Sequence, residues 1–304
     1  MLNPFFRKAY LVCAALTSSL LWQAFACAAP TINIFLSDPS GIYQEAADSL
    51  TNGLHEHGLW TVNTYTLDRL PPTGSTLTVA IGTKALTAAL AASEDSPVLS
   101  LLVPQATYER LASGSHQTSA LYLDQPLVRQ LRLLNLALPN LKQAGVPLGP
   151  SSRGFQSSLE RASRGSGVSV KSVVVSQGSE LLSALSDLAE NSQAFVLLPD
   201  PVVAQRGTLQ SFLLHTYRLR KPVLAYSAPL VQSGALLGLY ASPAQLGEEA
   251  ARWISESWIR GEFRLGPPRH PKSFTVSVNR TVARSLDISL PSEERLTSQL
   301  EAMK

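Results

Sequence analysis

Cysteine, charge and catalytic signatures are all scarce in this 304-residue sequence. The two cysteines, Cys13 and Cys27, both fall within the first 28 residues. Loss of that segment would leave no thiol, which excludes thiol catalysis and a disulfide framework. Charged residues make up only 15% of the chain and the formal net charge is +3. That balance gives no case for nucleic-acid binding. No G-x-S-x-G elbow, Walker loop or G-x-G-x-x-G fingerprint occurs. His55-Glu56-His57 resembles a metal motif, but on a helix residues i and i+2 point roughly 200° apart and cannot face one ion. His116, His215 and His270 stand alone and read as surface or capping residues. Ser, His and Asp are present without a spacing that singles out a triad. The expectation is no enzyme, no cofactor and no metal.

What is present is apolar: 45% of residues are hydrophobic, enough for real cores, and the length suits two domains or one large one. The first residues look like an export leader rather than part of a fold. Arg7 and Lys8 precede an apolar stretch over 9–26, and Ala24-Phe25-Ala26 and Ala26-Cys27-Ala28 both fit a small-residue cleavage pattern. An uncleaved anchor is the bland alternative, but Thr17, Ser18, Ser19 and Gln23 interrupt the run. Lipidation of Cys27 is a third, with Ala24 where Leu would be usual. Cleavage removes two of the 25 basic residues and none of the 22 acidic ones, leaving +1. The mature chain is expected to be soluble in an exported compartment, a bacterial periplasm.

Along the mature chain, short apolar strands alternate with helical stretches. Strands are expected at 31–37, 60–67, 76–82, 97–103 and 118–123, then at 143–149 (of modest quality), 168–176, 194–200, 222–227 and 234–242. Helices are expected between them. One covers 41–58, with Ile42, Ala46, Leu50 and Leu54 on one face. A long amphipathic helix is expected over 243–261, with Leu246, Ala250, Trp253, Ile254 and Trp258 sharing a face. Continuous apolar strands alternating with helices predict doubly wound parallel sheets, covered on both faces. Two such blocks predict two α/β lobes, with the weak point near 114–126.

Ligands of such sheets sit beyond the carboxyl ends of the strands. Those ends here carry small and hydroxyl residues: Ser40 and Tyr43 after the first strand, Gly82-Thr83, Asp124, Asp200, Ser227 and Ser233. Each alone is equally a helix cap or a turn residue. Gly82-Thr83 is the sharpest. A glycine admits close backbone approach, and the following helix start offers free N–H groups and a positive dipole end to a carboxylate or phosphate. The Thr83 hydroxyl either caps that helix or donates to the anion.

In order and spacing, five segments resemble the tryptophan/tyrosine-type ABC-transporter periplasmic substrate-binding proteins. They are "VAIGTKALTAAL", "LDQPLVRQLRLLNLALPNLKQAGV", "LPDPVV", "KPVLAYSAPLVQSGALLGLYASPAQLGEEAARWISESWIRGE" and "FTVSVNRTVARSLDISLP". Together they span nearly all of 31–295. The resemblance implies a type I periplasmic-binding fold, two lobes joined by a three-crossing hinge. Lobe 1 would comprise 29–118 plus about 242–265, and lobe 2 would comprise 119–241 plus about 266–304. It also implies a monomer that captures a small-molecule ligand, such as an amino acid or related organic acid, and delivers it to an ABC transporter permease in the inner membrane. The same fold could instead serve a sensor that signals to a membrane receptor. Two family features are missing: an Asp-Pro after "SPVLSLLV", and a Thr-Gly before Asp124, where Ala120 and Leu121 stand. In this reading Asp124 or Asp200 would receive an amino group, and Tyr43 would line the pocket.

Overall fold

A computed structural model describes residues 29–69, 75–92, 96–112 and 117–303. The expected leader, both cysteines and His116 lie outside these residues. The first block runs β1 (Thr31–Leu36), α1 (Gly41–His57), β2 (Thr61–Thr66), β3 (Leu77–Ile81), α2 (Thr83–Ala92), β4 (Val98–Leu101), α3 (Gln105–Leu111) and β5 (Thr118–Leu121). Its five strands form one parallel sheet in the order β2-β1-β3-β4-β5. Ile32 pairs with Leu77, Thr78 with Val98 and Val98 with Thr118. β3 and β4 are buried throughout, which is why they read as unbroken apolar runs. β2 keeps its polar "TVNTYT" pattern because it is an edge strand.

The second block runs α4 (Leu127–Ala137), β6 (Gln143–Leu148), α5 (Gln156–Ser166), β7 (Ser169–Val174), α6 (Leu181–Ala189), β8 (Ala194–Val196), α7 (Arg206–Arg218), β9 (Val223–Ala225), α8 (Ala228–Gln232) and β10 (Leu237–Tyr240). The chain ends with α9 (Pro243–Ser257), β11 (Trp258–Ile259), β12 (Glu262–Phe263), β13 (Thr275–Val278), α10 (Arg280–Ser285) and α11 (Glu293–Glu301). The second sheet has the order β13-β10-β9-β8-β6-β7. It is parallel except at one edge, where β13 runs antiparallel to β10. β6 is no weak strand: it pairs with both β7 and β8 and is buried from Ala144 onward.

Several expectations shift. The break at 118/119 moves beyond Leu121, because β5 pairs with β4 as the edge of the first sheet. Ile42 is half exposed; the buried stripe of α1 is Ala46, Ala47, Leu50, Gly53 and Leu54. Its partner α9 lies against Ala46 and Leu50, while Tyr43 rather than Ile42 turns inward from the first turn. The long helix stops at Ser257. Arg260 (φ 53°) and Gly261 (φ 88°) then turn β11 into β12, both left-handed as a tight hairpin turn requires. Trp258 therefore leaves the helix face and packs on Phe263 (4.7 Å between rings) and Trp60 (6.0 Å).

The chain crosses between the sheets three times. The first crossing follows β5. The second follows β10 and delivers α9 to the first sheet, where Leu246, Ala250, Ala251 and Ile254 share a core with Ile32, Ile34, Leu50 and Val79. The contact is backbone-close: a Cβ on Gly53 would lie 2.8 Å from that of Ala251, and one on Gly247 would strike the Ala46 carbonyl and the Leu50 N–H. On the third crossing Arg269 bridges β5, its N–H donating to the Ala120 carbonyl (2.8 Å) and its carbonyl accepting from the Tyr122 N–H (2.9 Å). The chain then enters β13. Among the described residues no helix is long and apolar enough to cross a membrane.

Candidate functional site

Open parallel sheets bind ligands where the strand order reverses, since neighbouring helices there leave to opposite faces and open a crevice. In the first sheet that point lies between β1 and β3; in the second it lies between β6 and β8. The residues beyond those strands are Ser37 and Gly82 in one lobe, Gly149 and Asp200 in the other.

At the first reversal the open choice at Thr83 is decided by a different residue. Ser37, just past β1, accepts a hydrogen bond from the Ala85 N–H through its Oγ (2.9 Å). The cap of α2 thus comes from the neighbouring strand. Gly82 adopts φ +91°, its N–H donates to Leu101 (2.8 Å) and its carbonyl accepts from the Leu86 N–H (3.0 Å). A Cβ there would lie 2.5 Å from both Ser37 Oγ and Tyr43 Cε1, so only glycine fits. Neither the Thr83 hydroxyl nor the N–H groups of Thr83 and Lys84 have a protein acceptor among the described residues. Tyr43, half-buried in the first turn of α1, closes the side. Ser40 is exposed and turned back on Asp38, its Oγ donating to Oδ1 (2.6 Å). Leu102, after β4, is held at φ 54°, a conformation a leucine adopts only under constraint.

Asp124 lies two strands away along the sheet edge. It is buried, and its Oδ2 accepts from the Gln105 N–H at the start of α3 (2.6 Å). Asp124 thus reaches back over β4, as Ser37 reaches over to α2. Its backbone carbonyl accepts from His270 Nδ1 on the third crossing (2.8 Å). Burial pushes the Asp124 carboxyl up to about 7; the Gln105 N–H works against that and the Glu109 carboxylate adds to it. Across the hinge, burial and the neighbouring Asp124 push the Tyr226 hydroxyl up to about 12. Burial lowers His270, which keeps its ring neutral.

The second reversal is filled by protein. Asp200 Oδ2 accepts from the Ser152 N–H (3.0 Å) and hydroxyl (2.9 Å), and Oδ1 accepts from the Val202 N–H (2.8 Å). A Cβ on Gly149 would collide with this carboxylate. The reading of Asp200 as a ligand contact gives way to a structural role: its lone pairs already hold the turns after β6 and β8. Ser233 likewise caps the end of α8; it is exposed and donates to the Pro229 carbonyl (2.8 Å). Ser227 precedes α8 and makes no side-chain cap bond, so its half-buried hydroxyl stays unused beside Tyr226.

The structure brings Tyr43 against Gly82, with Thr83 next in the chain, and places Asp124 two strands along the same sheet edge, close to Tyr226, the neighbour of Ser227. It sets aside Ser40, Asp200 and Ser233. Ser37, Tyr226 and His270 escaped the site reading of the sequence. Ser37 was visible as the residue after a strand, but its partner is 48 residues away. His270 does not stand alone: it joins a hinge network. Gln125 Nε2 donates to the Ser273 carbonyl (3.1 Å), Arg129 to the Pro271 carbonyl (3.0 Å), and buried Glu249 on α9 accepts from the N–H groups of Lys272 (3.0 Å) and Ser273 (3.2 Å). His215 pairs with Ser186 between α7 and α6 (3.0 Å). Among the described residues no group of three metal-ligating side chains converges. A surface pocket of about 520 Å³ opens at the other end of the first sheet, lined by Thr76, Pro97, Thr118 and Gly261 among others; it lacks the free helix-start donors of the strand-end crevice.

Comparison with known proteins agrees with this fold. The family model for ABC transporter substrate binding protein matches residues 64–301. Among solved structures, an ABC domain in complex with L-Trp from Streptococcus pneumoniae superposes with TM-score 0.63 at 17% identity, covering 89% of this chain and 98% of its own. A conserved domain protein from Vibrio cholerae gives 0.63 at 18%, covering 88% and 97%. The ligand-free, open form of a substrate binding protein with adhesive properties from Clostridium difficile gives 0.67 at 18%, covering 87% and 97%. At these identities the likeness speaks for the fold. Curated protein sequences give no match.

Proposed function

Because the chain belongs to the ABC transporter substrate binding proteins, we propose that it captures a small carboxylate-bearing solute, an amino acid or related organic acid, between its lobes. The observation that carries this reading is the crevice between β1 and β3. There the N–H groups of Thr83 and Lys84 and the Thr83 hydroxyl are unspent at the positive end of a ten-residue helix, while Ser37 does the capping. Such a seat accepts an anion without costing the helix its cap. Tyr43 offers a flat apolar wall beside Gly82, and in this reading lobe closure carries the unused Ser227 hydroxyl toward the seat.

The lobes comprise 31–123 with 242–265, and 124–241 with 270–303, so that closure about the three crossings shuts the crevice. The protein works as a monomer in the periplasm, performs no catalysis, and hands its ligand to a permease of the inner membrane.

A thermal-shift screen with the amino acids and small organic acids tests this, since a ligand that binds only the native state raises the melting temperature. L-Trp is the first probe because a relative in fold was solved with it. At least one compound is expected to stabilise the protein. Thr83→Ala should then weaken that compound by roughly 1 kcal/mol while leaving stability unchanged. A broad screen without a hit, or a Thr83→Ala protein that loses stability and keeps affinity, would count against the reading.

A further inference from the structure

The third crossing is held from both lobes at a single peptide group. The Lys272 N–H donates to both carboxylate oxygens of Glu249 (3.0 Å each). The carbonyl of the same peptide unit, that of Pro271, accepts from Arg129 Nη1 (3.0 Å). Glu249 rides on α9, whose Leu246, Ala250 and Ile254 lie in the core of the first sheet. Arg129 rides on α4, whose Leu131, Leu133 and Leu134 lie in the core of the second. One lobe thus grips the N–H end of the Pro271–Lys272 peptide and the other its C=O end. Ser273 is held in the same way. Its N–H donates to Glu249 Oε2 (3.2 Å) and its carbonyl accepts from Gln125 Nε2 (3.1 Å).

The charges suit the peptide. A carboxylate faces the positive N–H end of its dipole and a guanidinium faces the negative C=O end, so both hydrogen bonds are charge-assisted. Glu249 is buried and Arg129 half-buried, where salt screens such bonds little. Burial lowers the Arg129 guanidinium from its ordinary value, and the Glu249 carboxylate works against that. Among the described residues the two form no direct ion pair; the peptide stands between them. Pro271 fixes its own φ and stiffens the approach from one side. The helix after the second crossing is tied in as well, since Gln245 accepts from Thr275 Oγ1 (3.2 Å). A rotation of the lobes about the N–H to C=O line keeps both bonds. Tilting that line breaks one of them.

We propose that Glu249 and Arg129 are positioning residues for ligand capture. They make the Pro271–Lys272 peptide the pivot of lobe closure and confine closure to one path, so that the two strand-end faces meet in register. Neither side chain touches the ligand. The pivot serves whichever solute is bound, so it stands apart from the carboxylate reading.

Inter-lobe distances in the ligand-free full chain test this. Spin labels go on Glu45→Cys in α1 and Glu160→Cys in α5, both exposed, with Cys13→Ser and Cys27→Ser so that no other thiol reacts. Double electron–electron resonance should give one narrow distance in this parent. Glu249→Gln and Arg129→Gln should each raise the population outside that peak about tenfold, from roughly one part in a hundred to one in ten. Arg129→Lys, which keeps a cation for the Pro271 carbonyl, should retain the narrow peak. Asp200→Asn is the control: it loosens the second lobe away from the crossing, lowers the urea midpoint and should leave the distance unchanged. If one glutamine variant does not fold by circular dichroism, the other decides. Unchanged distances in the folded glutamine variants overturn the inference. Equal broadening in Asp200→Asn overturns it too, because general loss of stability would then account for the effect. Failure of every solute to bind would strike the carboxylate reading and leave the pivot standing.

Discussion

Replacing Asp200 separates a structural carboxylate from a ligand contact. Its side chain is 2% exposed and accepts from Ser152 twice and from Val202, at 2.8–3.0 Å. Asp200→Ala leaves two backbone N–H groups and a hydroxyl without their acceptor in a buried turn. An orphaned buried donor costs about 1–3 kcal/mol, so the loss should total roughly 3–5 kcal/mol. Asp200→Asn keeps one acceptor oxygen but turns an NH₂ toward a donor, and should lose about half as much. With a urea slope of about 2 kcal/mol/M, the alanine variant should unfold roughly 2 M earlier. The measurement has a built-in control. The described tryptophans, Trp60, Trp253 and Trp258, all belong to the first lobe and to the hairpin beside it. Circular dichroism should therefore register the damage to the second lobe at lower urea than indole emission does. A shift under about 0.5 M, with ligand affinity lost, would refute the structural role and restore Asp200 to the binding site.

Ser37→Ala removes the cap of α2 and should cost about 1 kcal/mol in urea unfolding, whereas Thr83→Ala should cost nothing measurable. Gly82→Ala must place a Cβ against Ser37 and Tyr43 at φ +91°; a melting temperature lowered by several degrees is expected, and an unchanged one would mean the crevice is looser than it looks. The Asp124 carboxyl is raised from 3.8 to about 7 on folding, so its contribution is full at low pH and is lost as pH rises toward 7. Relative to Asp124→Asn, the ligand-free protein should lose about 2–3 kcal/mol between pH 5 and pH 8, and parallel pH curves would sink this. Glu249→Ala strips three hydrogen bonds from the third crossing. It should make residues 272–274 exchange amide hydrogen markedly faster than in the wild type.

Much of the architecture was legible because it rests on local patterns. Runs such as "TLTVAIG" and "AFVLLPD" read as doubly covered strands, and the stretches between them as helices. The misreadings share a cause: a partner distant in the chain. The stretch 143–149 read as a modest strand, yet β7 and β8 flank it on both sides and hold it inside the sheet. Trp258 fits the helix face by spacing, but the two left-handed residues after it pull it onto Trp60. At the site, each capping residue looked free because the helix or turn it serves follows a different strand. Ser37 serves α2, Asp124 serves α3 and Asp200 serves the turn after β6. Composition and spacing carry no mark of such cross-strand caps, so the sequence could not say which polar strand ends were already spent.

The glycine contact between α1 and α9 also has a consequence in time. Gly53 is made early and the helix that packs against it, around Gly247 and Ala251, is made late. A ribosome that has finished β5 has produced a complete first sheet with one face covered by α1 alone, and it must add the whole second block before α9 arrives to complete that core. The second sheet waits in turn for β13. Contacts of such long sequence separation fold slowly. Until synthesis passes α9 the nascent chain holds no finished lobe, so neither core can close before most of the chain has been made.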